Sequence, residues 1–116
     1  MSFSFINGRI LHNDVSAYGL QTTDLGCTYT FGSDGGGTEV AYNVCRADTP
    51  QNLLMGIYLD FDSSNHVVHH NLVWGVQASL RMNTVSRNNK IYNNTFASSL
   101  GGLIVNPGLD GVTKLP

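Results

Sequence analysis

Between residues 55 and 96 the chain reads MGIYLDFDSSNHVVHHNLVWGVQASLRMNTVSRNNKIYNNTF, with apolar residues alternating in short runs. A two-residue period is that of a strand, because successive side chains point to opposite faces. The runs also repeat. Ile57, Leu80 and Leu103 are each 23 residues apart, as are Leu59, Met82 and Val105, and behind them come Asp60, Asn83 and Asn106. A second series runs Asn13, Asn43, Asn71 and Asn94, at spacings of 30, 28 and 23. Ile10, Val40, Val68 and Ile91 stand three positions before these Asn residues, and Val15, Cys45, Val73 and Phe96 two positions after. Two series with a common period mark a stacked architecture.

A helical hairpin repeat needs runs with a 3.6-residue period, and a leucine-rich repeat adds a helical segment; neither fits this chain. A coil of three short strands and three turns fits both length and alternation. The expected fold is therefore all-β: a short parallel β-helix, or solenoid, of about four coils, with residues 1–116 as a single domain. Equivalent strands of successive coils should stack about 4.8 Å apart. The four Asn residues are expected to form a ladder, since Asn tolerates the left-handed conformation of a tight corner and carries both donor and acceptor. This role is structural. The insertion RADTPQN at 46–52 accounts for the longer second coil.

The alternation also assigns faces. Ile57 and Leu59 point inward, which turns Tyr58 and Asp60 outward, followed by Arg81 and Asn83 in the next coil and by Ile104 and Asn106 in the last. Tyr58 and Arg81 should be stacked neighbours on an exposed sheet face. Along the Asn-bearing strand the outward rows are Glu39, Val67, Lys90 and then Ala41, His69, Tyr92, placing His69 beside Tyr92. His66 falls in the preceding corner and His70 at the corner itself. His69 and His70, being adjacent in a strand, should diverge.

Composition narrows the function. Charged residues are only 12% of the chain and hydrophobic residues 41%, a balance that suits a β-solenoid. A formal net charge of −2 gives no basic footprint for nucleic acid. No apolar run has the length of a membrane span, and MSFSFINGRI lacks a secretory pattern. Either a signal precedes this Met in the precursor or the chain is a piece or minimal version of a longer solenoid.

Several chemistries are weakly served. SDGGGTE at 33–39 lacks the Lys and Ser/Thr of a phosphate-binding loop. Asp34 and Glu39 offer Ca²⁺ only two carboxylates. HVVHHN suggests a transition metal, but no third ligand accompanies His69 and His70. No metal or other cofactor is therefore assigned. Cys45 sits at an inward position as a small core residue; a bridge to Cys27 requires Cα atoms within about 7 Å, which neighbouring walls of a coil either provide or do not.

GIYLDFDSSNHVVHHNLVW followed by NNKIYNNTF resembles the right-handed parallel β-helix repeat proteins of the pectate-lyase-like superfamily, over residues 36–106. The resemblance implies a right-handed helix, a secreted or periplasmic location, and lyase, hydrolase or esterase action on polysaccharides. The expected function is thus a lyase or glycoside hydrolase working on an extended, possibly acidic, glycan along one face. Arg81, His69, Tyr58 and Asp60 are the candidate catalytic residues, and Tyr92, Lys90, Asn83 and Glu39 the candidate substrate-binding residues. For elimination, Arg81 or Lys90 supplies the cation and His69, Tyr58 or Tyr92 the base. For hydrolysis, Asp60 pairs with Asp62 or Glu39. The alternatives are a glycan-binding module without chemistry and a structural solenoid that forms homo-oligomers through its coil ends.

Overall fold

A computed structural model describes residues 1–47, 53–97 and 100–105; Asn106 and most of the 46–52 insertion lie outside the described residues. Twelve strands run β1 (Arg9–Leu11), β2 (Asp14–Val15), β3 (Leu25–Thr30), β4 (Asp34–Ala41), β5 (Val44–Arg46), β6 (Leu54–Leu59), β7 (Ser64–His69), β8 (Leu72–Trp74), β9 (Ala78–Met82), β10 (Lys90–Tyr92), β11 (Thr95–Ala97) and β12 (Gly101–Val105), with no helix among the described residues. Each strand pairs in parallel with the strand three places later, giving sheets β1-β4-β7-β10, β2-β5-β8-β11 and β3-β6-β9-β12. The chain visits the three sheets in the same order four times. Such an all-β arrangement is compatible with a β-solenoid-like fold.

The register follows the sequence period. Ile57 pairs with Leu80, and Leu80 with Leu103; Leu59 pairs with Met82, and Met82 with Val105. Val40 and Val68 stack between Ile10 and Ile91, and Cys45 and Val73 between Val15 and Phe96. Leu54, Ile57, Leu59, Val68, Val73 and Leu80 make the main core. Strict alternation fails at Gly56, which also faces Val73: a Cβ there would lie 2.4 Å from the Val73 side chain and 2.4 Å from the Ser79 carbonyl oxygen. Only glycine fits that crossing.

The four asparagines are joined by hydrogen bonds. The backbone N–H and side-chain amide of Asn43 both donate to Asn71 Oδ1 at 3.0 Å, and Asn71 repeats this toward Asn94 at 3.0 and 2.9 Å. Asn13 does the same toward Asn43, at 3.1 and 2.9 Å. The left-handed residues, however, are not these asparagines but the residues just before them: His12, Tyr42, His70 and Asn93, with φ of 59°, 57°, 52° and 52°. Asn serves here through its amide, and its neighbour makes the turn.

His66 departs from its expected corner. It lies within β7 and is fully buried, directly after the left-handed Asn65, the second residue of that strand. Its backbone N–H donates to Asn89 Oδ1 at 3.0 Å, and Gly8 N–H likewise donates to Thr38 Oγ1 at 3.1 Å. Thr38 and His66 are register partners, so a second inward-facing polar column supports the sheet. Burial lowers the His66 pKa from its ordinary value, which favours the neutral ring.

Cys27 and Cys45 form a disulfide with Cα atoms 5.9 Å apart. It ties β3 to β5 across the core, where both residues are fully buried. The geometry left open by the sequence is therefore provided.

Candidate functional site

Tyr58 on β6 and Arg81 on β9 are register partners, with the guanidinium 5.8 Å from the ring centroid. Just past these strands, the Asn83 amide donates to Asp60 Oδ1 at 2.6 Å and to the Tyr58 hydroxyl oxygen at 3.0 Å, while Arg81 Nε donates to Asn83 Oδ1 at 3.1 Å. Four of the residues singled out in the sequence thus meet. Two others join them. Tyr29 stacks edge-on against Tyr58 at 5.2 Å and donates its hydroxyl to Asp60 Oδ2 at 2.9 Å, and Tyr58 donates its own to Asp24 Oδ1 at 3.1 Å.

Asp24 and Tyr29 were not apparent from the 23-residue step, because the insertion at 46–52 lengthens the segment between them and Tyr58. The signal was present in LGCTYT, whose Tyr29 pairs with Tyr58 at an offset of 29 residues. Asp24, Gly26 and Tyr29, with Met1, border a surface cavity of about 350 Å³.

Tyr58 is outward but not exposed: only 3% of it reaches solvent, since Met55 and Ala78 pack beside it with Tyr29 and Ile104 against them. The expected open platform for a sugar ring is therefore covered. Burial, followed by the negative charges of Asp60 and Asp24, pushes the Tyr58 phenol up to about 12. Burial and the hydrogen bond to Asp60 push Tyr29 up to about 12. Both phenols stay protonated near neutral pH, which suits Tyr58 to donating a hydrogen bond and not to acting as a base.

A spectrophotometric titration should accordingly find these two tyrosines ionising near pH 12, with Tyr18, raised further by burial, later still. Because the folded pKa lies above the unfolded value of 10, the stability they contribute is complete below pH 10 and is lost as pH rises through 12. Ionisation of all five tyrosines in one step near pH 10, with the fold intact, would contradict this environment.

Glu39, His69, Lys90 and Tyr92 lie on a different sheet, β1-β4-β7-β10, so the eight candidates form two groups and do not converge on one face. Val67 pairs with both Glu39 and Lys90, and His69 with both Ala41 and Tyr92. His69 stacks on Tyr92 at 5.0 Å and 7°. It is 7% exposed, not a surface residue, and its Nε2 lies 2.8 Å from Glu39 Oε1. His69 and His70 do not diverge: their Nδ1 atoms are 2.7 Å apart, because left-handed His70 swings its ring back over the strand end. Exposed Tyr42 stacks between His12 at 5.1 Å and His70 at 5.2 Å.

Neither expected partner acid accompanies Asp60. Asp62 faces Arg87 at 3.8 Å, and Glu39 engages His69 and Arg9. The acid joined to Asp60 through Tyr58 and Asn83 is Asp24. Asp34 accepts from Gly36 N–H at 2.9 Å and from the Asn65 amide at 2.8 Å, which closes the glycine turn. Among the described residues no three His, Cys, Asp or Glu side chains gather as metal ligands. No protein-family model, curated protein or solved structure matches the chain.

Proposed function

We propose that the three sheets close into a right-handed parallel β-helix of the pectate-lyase-like kind, secreted or periplasmic, which hydrolyses an extended polysaccharide lying along the β3-β6-β9-β12 face. Parallel stacking supports the first part: it repeats outward side chains at a fixed axial step of about 4.8 Å, a wall suited to a polymer. The observation that carries the second is the joining of two carboxylates, Asp24 and Asp60, by one phenol and one amide, with Asp24 bordering an open cavity.

Glycoside hydrolysis needs two acids on either side of the scissile bond, about 5 to 9.5 Å apart according to stereochemistry. Asp60, which accepts from Tyr29, Asn83 and the Phe61 N–H, is the fixed carboxylate that activates water or attacks. Asp24, exposed at the cavity, is the second carboxyl group of the pair. Arg81 and Asn83 hold Asp60 and Tyr58 in place. Elimination is less well served here, because the nearby phenols remain protonated.

A depolymerisation screen over neutral and acidic polysaccharides, with and without chelator, tests the reading. Turnover is expected, and Asp60→Asn or Asp24→Asn should lower it about tenfold or more with the fold intact. Absence of turnover on every substrate would remove the enzymatic reading. A non-catalytic glycan-binding or structural module is the second reading, and the burial of Tyr58 favours its structural form. It predicts glycan binding that Asp60→Asn leaves unchanged. Self-association belongs to the same reading: Leu103 in the last coil is 52% exposed, whereas its partner Leu80 is fully buried. A monomeric mass in sedimentation at all concentrations would exclude stacking of coil ends.

A further inference from the structure

We propose that Glu39, His69 and His70 form a proton relay that makes His70 Nε2 a solvent-facing general base, a second reactive centre able to hydrolyse small carboxylic esters. Two contacts fix the hydrogens. An ionised carboxylate only accepts, so the 2.8 Å contact with Glu39 Oε1 requires a hydrogen on His69 Nε2. A neutral imidazole then leaves His69 Nδ1 as an acceptor. The 2.7 Å contact between the two Nδ1 atoms must therefore be donated by His70, whose lone pair is left on Nε2.

Packing holds this arrangement. His69 is clamped between the face of Tyr92 at 5.0 Å and the edge of Tyr42 at 5.5 Å. His70 is exposed, yet its ring rests on Tyr42 at 5.2 Å and 20°, with Tyr92 edge-on at 6.3 Å. No hydrogen bond among the described residues engages its Nε2. Arg9 Nε, 3.6 Å from the second oxygen of Glu39, steadies the carboxylate. The remaining titratable neighbours are exposed His12, stacked on the far side of Tyr42, and Lys90, two residues before Tyr92 on β10.

Water attacks the ester carbonyl carbon as His70 Nε2 takes one of its protons. The tetrahedral adduct collapses with cleavage of the C–O bond, and the alcohol oxygen leaves with the proton returned from Nε2. Protonation at Nε2 preserves both hydrogen bonds of the relay, and the new positive charge is linked through His69 to Glu39. Protonation at His69 Nδ1 would instead set two N–H donors against each other. The outer nitrogen is thus the one that can receive the proton at no loss of structure. His70 is the catalytic residue, and His69 and Glu39 are positioning residues.

This centre lies on a different sheet from Asp24 and Asp60, and its test is separate. Nitrogen-15 NMR of the histidine rings on the full chain should show His70 with hydrogen on Nδ1 and His69 with hydrogen on Nε2. Hydrolysis of p-nitrophenyl acetate should fall about tenfold in His70→Ala, less than buried general bases lose because the rim is open. His12→Ala should leave the rate unchanged. Glu39→Gln, whose amide oxygen still accepts from His69, should keep the tautomers but lower the rate several-fold. Hydrogen on His70 Nε2 in the wild type would overturn the relay, as would a His70→Ala rate equal to wild type or a His12→Ala loss matching that of His70→Ala.

Discussion

Asn71→Ala should lower the stability of the fold by about 4 kcal/mol, the sum of several unpaired buried groups at about 1–3 kcal/mol each. Asn71 is 2% exposed. Its Oδ1 accepts the backbone N–H and the amide of Asn43, while its own amide donates to the Val40 and His69 carbonyl oxygens and to Asn94 Oδ1. Alanine removes the side-chain partner from all of these at once, in a place water does not reach. Asn71→Asp should fare worse than its shape suggests, because an oxygen would then face the carbonyls of Val40 and His69. The cost should also grade along the series. Asn13 and Asn94, half-buried at the ends, should cost less than Asn43 and Asn71, since solvent can replace part of what is lost. Urea unfolding measures this as a shift of midpoint at constant slope. A loss below about 1 kcal/mol for Asn71→Ala, or equal losses at all four positions, would mean that these amides are ordinary turn residues.

The same series shows what a sequence of this kind discloses. Period and register were legible because a stacked strand must present an apolar residue to the same core at every pass, so Ile57, Leu80 and Leu103 repeat visibly. Facing was legible wherever the two-residue alternation holds, as for Glu39 and Lys90 or His69 and Tyr92. It was not legible where the backbone departs from that alternation. Gly56 faces the core beside Ile57 because only a residue without a side chain can cross Val73 so closely. Left-handed Asn65 and His70 redirect the chain where the two-residue alternation does not show it, and there His66 lies in the core and His70 comes back to His69. Exposure was harder to read than direction. Tyr58 points outward as expected, yet Met55 and Ala78, with Tyr29 and Ile104, bury it, and the insertion at 46–52 hid the alignment that would have placed Tyr29 there.

Removing the Cys27–Cys45 bridge as Cys27→Ala/Cys45→Ala should cost about 3 kcal/mol, the loop-closure entropy for a separation of 18 residues. For a chain of this size that corresponds to a fall in Tm of roughly 10 °C. The bond does more than close a loop, because Cys27 lies in β3 between Asp24 and Tyr29 and anchors the strand that brings both to Tyr58 and Asp60. Without that anchor, β3 keeps its pairing with β6 along one edge and its bridge to the first residues. Loosening there should release Tyr29 from Asp60 and Tyr58 from Asp24, so ionisation of the two phenols should move from about 12 back toward the ordinary value of 10. Thermal unfolding and the tyrosine titration can be run on the same double variant. Thiols in the native wild-type protein that react without denaturant would show the bridge to be absent. A bridge-free variant that melts within about 2 °C of wild type would show that it adds nothing to the fold. Loss of stability with unchanged tyrosine titration would separate the two roles, leaving the bond as a constraint on the unfolded chain alone.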